Sequence, residues 1–311
     1  MTCLKLISMA LLPLTTIWGT CAIAFGDSSG GNIERAVAGL FCTLGLLTLI
    51  GLVIRRWRQV LISSYLLAFA CLLIWWLTIS PANDRHWQTD ADKLAYADFA
   101  GDLVTVRNIR NFAYQTEFDY QPAYYDKTFA LHDLQGVDLF SIYWMGPAIA
   151  HTIISFDFGG NNHLAISIEA RKELNEGYST IKGFFRQYEL IYVVADERDV
   201  IRLRTNYRKN PPEQVYRYRL QGRLDNAKSL FLAYMRKLNE LKQKPEFYNT
   251  LLDNCTTAIW LLNRINPEHL PFSWKILLSG YLPEYLYEQQ RLDTRIPFAE
   301  LRNNAYINPR A

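Results

Sequence analysis

Three uncharged apolar runs crowd the first eighty residues, and they limit what this chain can fold into more than any other feature. They are LISMALLPLTTIWGTCAIAF at 6–25, AVAGLFCTLGLLTLIGLVI at 36–54 and VLISSYLLAFACLLIWWLTI at 60–79. A helix rises about 1.5 Å per residue, so each run is long enough to cross roughly 30 Å of hydrocarbon. Backbone polar groups in lipid find no water, and a helix pairs them internally. The first run is long for a cleaved signal, and Phe25-Gly26-Asp27 lacks the small-x-small pattern of a cleavage site. The expectation is a membrane region over 1–80 built from three transmembrane helices.

Charge orients those helices. Lys5 precedes the first run, Arg55, Arg56 and Arg58 fill the connection after the second, and the connection 26–35 holds Asp27, Glu34 and only Arg35. The positive-inside bias places the N-terminus and residues 55–59 in the cytoplasm and everything after Ser80 outside. Trp57, Trp75, Trp76 and Trp87 fall where interfacial aromatic rings belong.

Beyond Ser80 the composition changes. Most of the 33 Lys+Arg and 30 Asp+Glu lie there in near balance, with no basic run. That balance argues against nucleic acid as a partner. Of the five cysteines only Cys255 lies in this outer part, so an intradomain disulfide is excluded and a free thiol remains in an oxidising compartment.

Residues 81–104 read as a linker passing into a short helix, and 105–311 as one extracytoplasmic domain. Strand-like alternation marks 105–115, 137–144, 149–158, 163–173 and 213–220, while 118–131 reads as irregular. The stretches 149–158 and 163–173 flank a Gly-rich turn and form a hairpin; 188–195 and 200–207 form a second one around DERD. The period then changes. Leu230, Phe231, Tyr234, Leu238 and Leu241 share one helical face over 225–242, a second helix begins at Asn254, and short helices follow at 273–279 and 283–290. An antiparallel sheet with segregated helices is an α+β domain.

Cys255 stands at the first turn of the second helix, which Asp253 or Asn254 can cap. Unpaired N–H groups and the helix dipole favour thiolate there and can hold an oxyanion. Its partner is sought among five histidines. Pairing the first hairpin so that residue numbers sum to 320 puts Ile154, Phe156 and Phe158 against Leu164, Ile166 and Ile168 on a core face. The other face then carries His151, Ser155 and Asp157 against His163, Ser167 and Glu169. Glu169 lies opposite His151 in this register, where a carboxylate can fix an imidazole's tautomer. Ser155 lies mid-strand without the elbow a serine nucleophile needs. The histidines lack zinc-motif spacing, so neither a metal nor a cofactor is expected.

The stretches NIRNFAY (108–114), IAHTIISFDF (149–158), LAISIEARKE (164–173), YELIYVVADERDVIRLRTNYR (188–208) and NELKQKPEFYNTLLDNCTTAI (239–259) together resemble the Lnb N-terminal periplasmic domain family. The resemblance implies a permuted papain-like fold, with the histidine strand before the cysteine helix, at the inner membrane of a bacterium. It places the family histidine on His151 and the family cysteine on Cys255. The third polar residue falls on Glu169 or, by likeness to related permuted families, on His163. Some members transfer acyl chains in lipoprotein maturation through a cysteine thioester. The expected activity is therefore a thiol acyltransferase or hydrolase with a membrane lipid or lipoprotein as partner. A papain-like peptidase or cell-wall amidase on a peptide substrate is the enzymatic alternative. A non-catalytic envelope binding module is the other.

Overall fold

The structure, a computed structural model, describes residues 3–26 and 31–311. Asp27 and the side chains of Lys5 and Arg55, on which orientation was argued, lie outside the described residues. Three apolar helices come first: α1 (Cys3–Phe25), α2 (Asn32–Val53) and α3 (Arg58–Thr78). Only α2 and α3 are long and apolar enough among the described residues to cross a membrane; the described part of α1, Ala10–Phe25, is shorter. The expected three spans thus reduce to two. Neither span is a core helix, because only 28% and 11% of their most apolar windows are buried. The helices pack through Leu12, Phe41, Tyr65 and Leu72. Gly45 makes a close approach possible, since a Cβ there would lie 2.4 Å from Thr16.

The remainder is a mixed α+β domain. Strands β1 (Tyr96–Ala100), β2 (Leu103–Arg110), β3 (Ala113–Tyr114), β4 (Tyr120–Gln121), β5 (Tyr124–Ala130), β6 (Gly136–Tyr143), β7 (His151–Asp157), β8 (His163–Arg171), β9 (Glu189–Ala195) and β10 (Gln214–Arg219) are joined by α4 (Glu197–Arg202) and followed by α5 (Leu224–Gln243), α6 (Cys255–Asn263), α7 (Trp274–Leu277), α8 (Leu282–Glu288) and α9 (Phe298–Ala305). The main sheet runs β1-β2-β9-β8-β7-β6-β10, with β5 paired to β2 and β3-β4 forming a separate ribbon. Its pairings are antiparallel except where Arg110 of β2 meets Ala195 of β9.

The hairpin register is the expected one: Ile154 faces Ile166 and Phe156 faces Leu164. A one-residue slip would exchange the faces of every side chain, so the buried pattern holds it. Ile154, Phe156, Leu164, Ile166 and Ile168 pack beneath Phe231, Tyr234 and Leu238 of α5. The opposite face is buried too, through Phe140, Ile142, Ile153, Ala165, Ile191 and Val193 against Val200 and Ile201.

Three local expectations are corrected. The segment 200–207 is not a strand but completes α4 and a following π-turn, Leu203–Tyr207. Its alternation is deceptive, because Val200, Ile201 and Leu203 turn inward at helical spacing while Asp199 accepts hydrogen bonds from Arg110 and the Phe112 backbone. The Ala-rich stretch before 104 supplies β1, not a helix. Gly101, at φ +62°, makes the two-residue turn into β2, and that conformation favours glycine. Residues 124–130, read as irregular, form β5.

Candidate active site

Local hydrogen bonds build the cysteine's position. Asn249 Oδ1 accepts from the N–H groups of Leu251 and Leu252, and Asn254 Nδ2 donates to the Thr250 carbonyl. Asn254 Oδ1 accepts from the N–H groups of Thr256 and Thr257, both at 2.9 Å, and so caps α6 with Cys255 as its first residue. The helix lies on β7, where the hydroxyls of Thr152 and Thr256 are 3.2 Å apart. Backbone N–H groups of Thr152 and Thr256 both act on the sulfur in favour of thiolate. Burial outweighs them and pushes the Cys255 thiol above its ordinary value, with the Glu169 charge adding to the rise. The helix-start position thus favours the thiolate while burial works against it.

His151 opens β7 and faces the opposite side of the sheet from Thr152, as its pairing with Ile142 requires. Its Nε2 lies 2.7 Å from Ser167 Oγ, and Ser167 donates to Glu169 Oε1 at 2.7 Å. A hydroxyl has one proton, so Ser167 accepts from His151 Nε2–H, and the imidazole lone pair is left on Nδ1. Glu169 itself stands 3.6 Å from Nε2. Burial, reinforced by the Arg204 charge, lowers the His151 pKa to about 3, so the ring is neutral at physiological pH. Burial opposes the charge on Glu169, yet Arg204 and His151 hold its carboxyl well below the usual range. Arg204 Nη2 lies 3.3 Å from Glu169, and Arg204 also pairs with Glu213, which Arg208 approaches at 3.1 Å.

The structure therefore brings His151 and Glu169 together through Ser167 and sets Cys255 against the same end of β7. Among the described residues no hydrogen bond joins the Cys255 sulfur to the imidazole. His163 is not brought in. It sits at the far end of the hairpin, opposite Asp157, with Nδ1 3.9 Å from Asp157 and 3.7 Å from Glu197. Asp138, His163 and Glu197 could together offer ligands to a metal, their donor atoms lying within 4.8 Å of one another. Asp138 is already paired with Arg217 at 2.6 Å and Arg219 at 3.0 Å, which balances its charge.

Sequence reasoning assigned no role to Ser167, Arg204 or Tyr248. Ser167 shares strand parity with Glu169 and was legible as its neighbour. Arg204 was hidden by the misread segment. Tyr248 is buried and close enough to feel both Cys255 and Glu169; burial first, and the cysteine second, push its phenol upward.

A cysteine-headed helix packed on a largely antiparallel sheet, with a partly buried His-Ser-Glu chain at the end of the adjoining strand, makes the candidate site of an α+β domain. Residues 120–280 match the Lnb N-terminal periplasmic domain family, and this segment is more than half of the chain and contains every residue of the candidate site. The chain belongs to that family. Two apolar helices followed by a domain of a periplasmic family describe a membrane-anchored protein with a periplasmic domain. No curated protein and no solved structure gives a significant match.

Proposed function

We propose that this protein is a thiol acyltransferase or acyl hydrolase acting on a lipid- or lipoprotein-type ester or amide. The observation that carries the substrate class is a cavity of about 420 Å³ beside α6. Val137, Leu139, Ile154, Leu230, Ile259 and Leu286 give it apolar walls, and Thr256, next to Cys255, reaches it. Its volume is that of a small-molecule pocket, and its lining suits an acyl chain better than a polar peptide.

In the proposed reaction, the sulfur, which the Thr152 N–H holds at the open end of β7, gives its proton around that end to His151 Nδ1 as it attacks the carbonyl carbon. The tetrahedral intermediate collapses with loss of an alcohol or amine, which receives that proton from His151. An incoming amine, hydroxyl or water then repeats the sequence on the thioester and restores the thiol. Glu169, through Ser167, keeps Nδ1 as the basic nitrogen and stabilises the imidazolium. The order of histidine strand before cysteine helix agrees with a permuted papain-like arrangement. A multi-pass inner-membrane protein with its 55–59 connection inside and its domain outside completes the reading; reporters fused after Ser80 and within 55–59 test that orientation.

A non-catalytic binding module is the second reading, favoured by burial raising the thiol and by the lack, among the described residues, of a hydrogen bond between Cys255 and His151. The separating experiment treats the full-length protein in detergent with activated esters of short and medium acyl chains and reads the mass of the Cys255 peptide. Acylation of Cys255, faster with the medium chain and lost in Cys255→Ala, supports the acyl enzyme. Equal rates in wild type and His151→Ala would remove the dyad and leave the binding module.

A further inference from the structure

The end of the sheet that carries the candidate site is also the end that meets the membrane helices. Arg186 Nη1 donates to the carbonyls of Trp76 and Ile79 at the close of α3, at 2.6 and 3.2 Å, and its guanidinium lies 4.7 Å from the Trp76 ring. Phe185 packs edge-on to Trp76 and tilts against Phe25, the last residue of α1. The chain leaving α3 is tied to the same end: the Ala82 N–H and Arg85 both reach Glu189, which opens β9 opposite Arg171 of β8. Glu169 lies two residues before Arg171, so it and His151 sit close to this end. The tip of the β7–β8 hairpin lies about 25 Å away along the strands, at roughly 3.3 Å per residue.

Two loops project from the membrane-facing end, and each exposes large apolar side chains, with Asn175 and Thr180 the exposed polar residues of the first. One carries Tyr178, Ile181 and Phe184; the other carries Leu251 and Leu252, just before Cys255. Ile181 is 58% exposed and Leu252 61%, an unusual state for large apolar side chains gathered in one place. They form one unit, because Thr250 donates its N–H to the Gly183 carbonyl and its hydroxyl to that of Thr180. Gly183 allows this contact: a Cβ there would lie 2.3 Å from Thr250 Oγ1. The patch is continuous in the chain with Phe185 and Arg186, which already stand at the level where α1 and α3 end.

We propose that this pair of loops seats in the outer leaflet of the bilayer, so that the helix headed by Cys255 opens at the lipid surface. The occupant is lipid, because the patch continues the apolar surface of α3 through Phe185 and Trp76. The arrangement gives a membrane-borne ester a route to the thiol that does not pass through water. It rests on the membrane reading of α3 and is independent of thiol chemistry.

The test uses full-length Cys255→Ala protein in nanodiscs of phosphatidylethanolamine and phosphatidylglycerol. A photoreactive benzoylphenylalanine replaces, one at a time, Ile181, Leu252, Leu67 on the exposed face of α3, and Asn161 at the hairpin tip. After irradiation, positions 181 and 252 are expected to capture lipid at levels within a few fold of position 67, and at least ten-fold above position 161. Capture at 181 and 252 no greater than at 161, with 67 strongly labelled, overturns the proposal while the anchor stands. Adducts to a second protein copy at 252 in place of lipid also overturn it. Failure at position 67 as well removes the membrane reading of α3, and the proposal falls with it.

Discussion

The Nε2 atom of His151 lies 2.7 Å from the hydroxyl oxygen of Ser167, and that hydroxyl donates its single proton to Glu169. A serine thus stands between the histidine and the carboxylate, and it decides which ring nitrogen is basic. In a direct histidine–carboxylate pair the carboxylate would hold the ring alone. Here the ring's orientation depends on both side chains.

Ser167→Ala is therefore expected to slow Cys255 acylation by about ten-fold or more, with little change in apparent ester affinity. His151→Ala should slow it by roughly 10²–10⁴, the usual worth of a positioned base. His163→Ala, remote from the thiol, should leave the rate within a factor of two. Single-turnover acylation followed by mass measures all three. A silent Ser167→Ala beside a damaging Glu169→Gln would show that Glu169 reaches the imidazole directly.

Alkylation of Cys255 by a small neutral reagent should follow a titration above the ordinary thiol value of about 8.5. Burial raises this thiol, and Glu169 adds to the rise. Removing the carboxylate charge in Glu169→Gln should move the profile down. Stopped alkylation across pH 6–11 is the measurement, and a wild-type midpoint below 8 would contradict the buried environment.

Stability should depend on pH in two opposed ways. An unfolded histidine titrates near 6.5, roughly, while folded His151 is held at about 3. Between these values the unfolded chain binds the extra proton, so stability present above pH 6.5 is lost as pH falls toward 3. Glu189 has the opposite sign. Burial raises it to about 7, against the opposing pull of Arg85, so its contribution is complete below about 4.3 and is lost as pH rises through 7. Thermal unfolding should show His151→Gln losing less stability than wild type between pH 7 and 4.5. Glu189→Gln should gain on wild type at pH 8 relative to pH 5.

Gly280→Ala should impair both fold and site. A Cβ there would fall 2.0 Å from the Pro147 carbonyl oxygen, in the segment that leads into His151. Ser279 fastens the same segment, accepting from the Ala150 N–H and donating to its carbonyl. Overpacking against backbone is expected to destabilise the protein by about 1–3 kcal/mol and to displace His151. Gly222→Ala, with no neighbour within 4 Å, serves as control and should unfold like wild type. Equal unfolding midpoints for both variants would mean that the 147–150 segment yields.

Much of this molecule is determined by neighbours in sequence. The uncharged runs around α2 and α3, the Asn254 cap that sets Cys255 at a helix start, and the alternation that pairs Ile154 with Ile166 are all local patterns. A cap needs only the next turn, and a register needs only two strands with one apolar face each. What the tertiary structure alone decided depends on atoms brought from far along the chain. Arg204, 35 residues from Glu169, holds that carboxylate charged and helps keep His151 neutral. Desolvation and the Glu169 charge raise the half-buried Cys255 thiol, which the favourable position at the helix start could not reveal. The contacts of Arg186 and Phe185 with Trp76 fix which end of the sheet meets the membrane helices. Periodicity records which face of an element is buried, whereas the charge state of a site and the side from which it is reached are set by burial and Coulomb interactions that exist only once distant segments have packed.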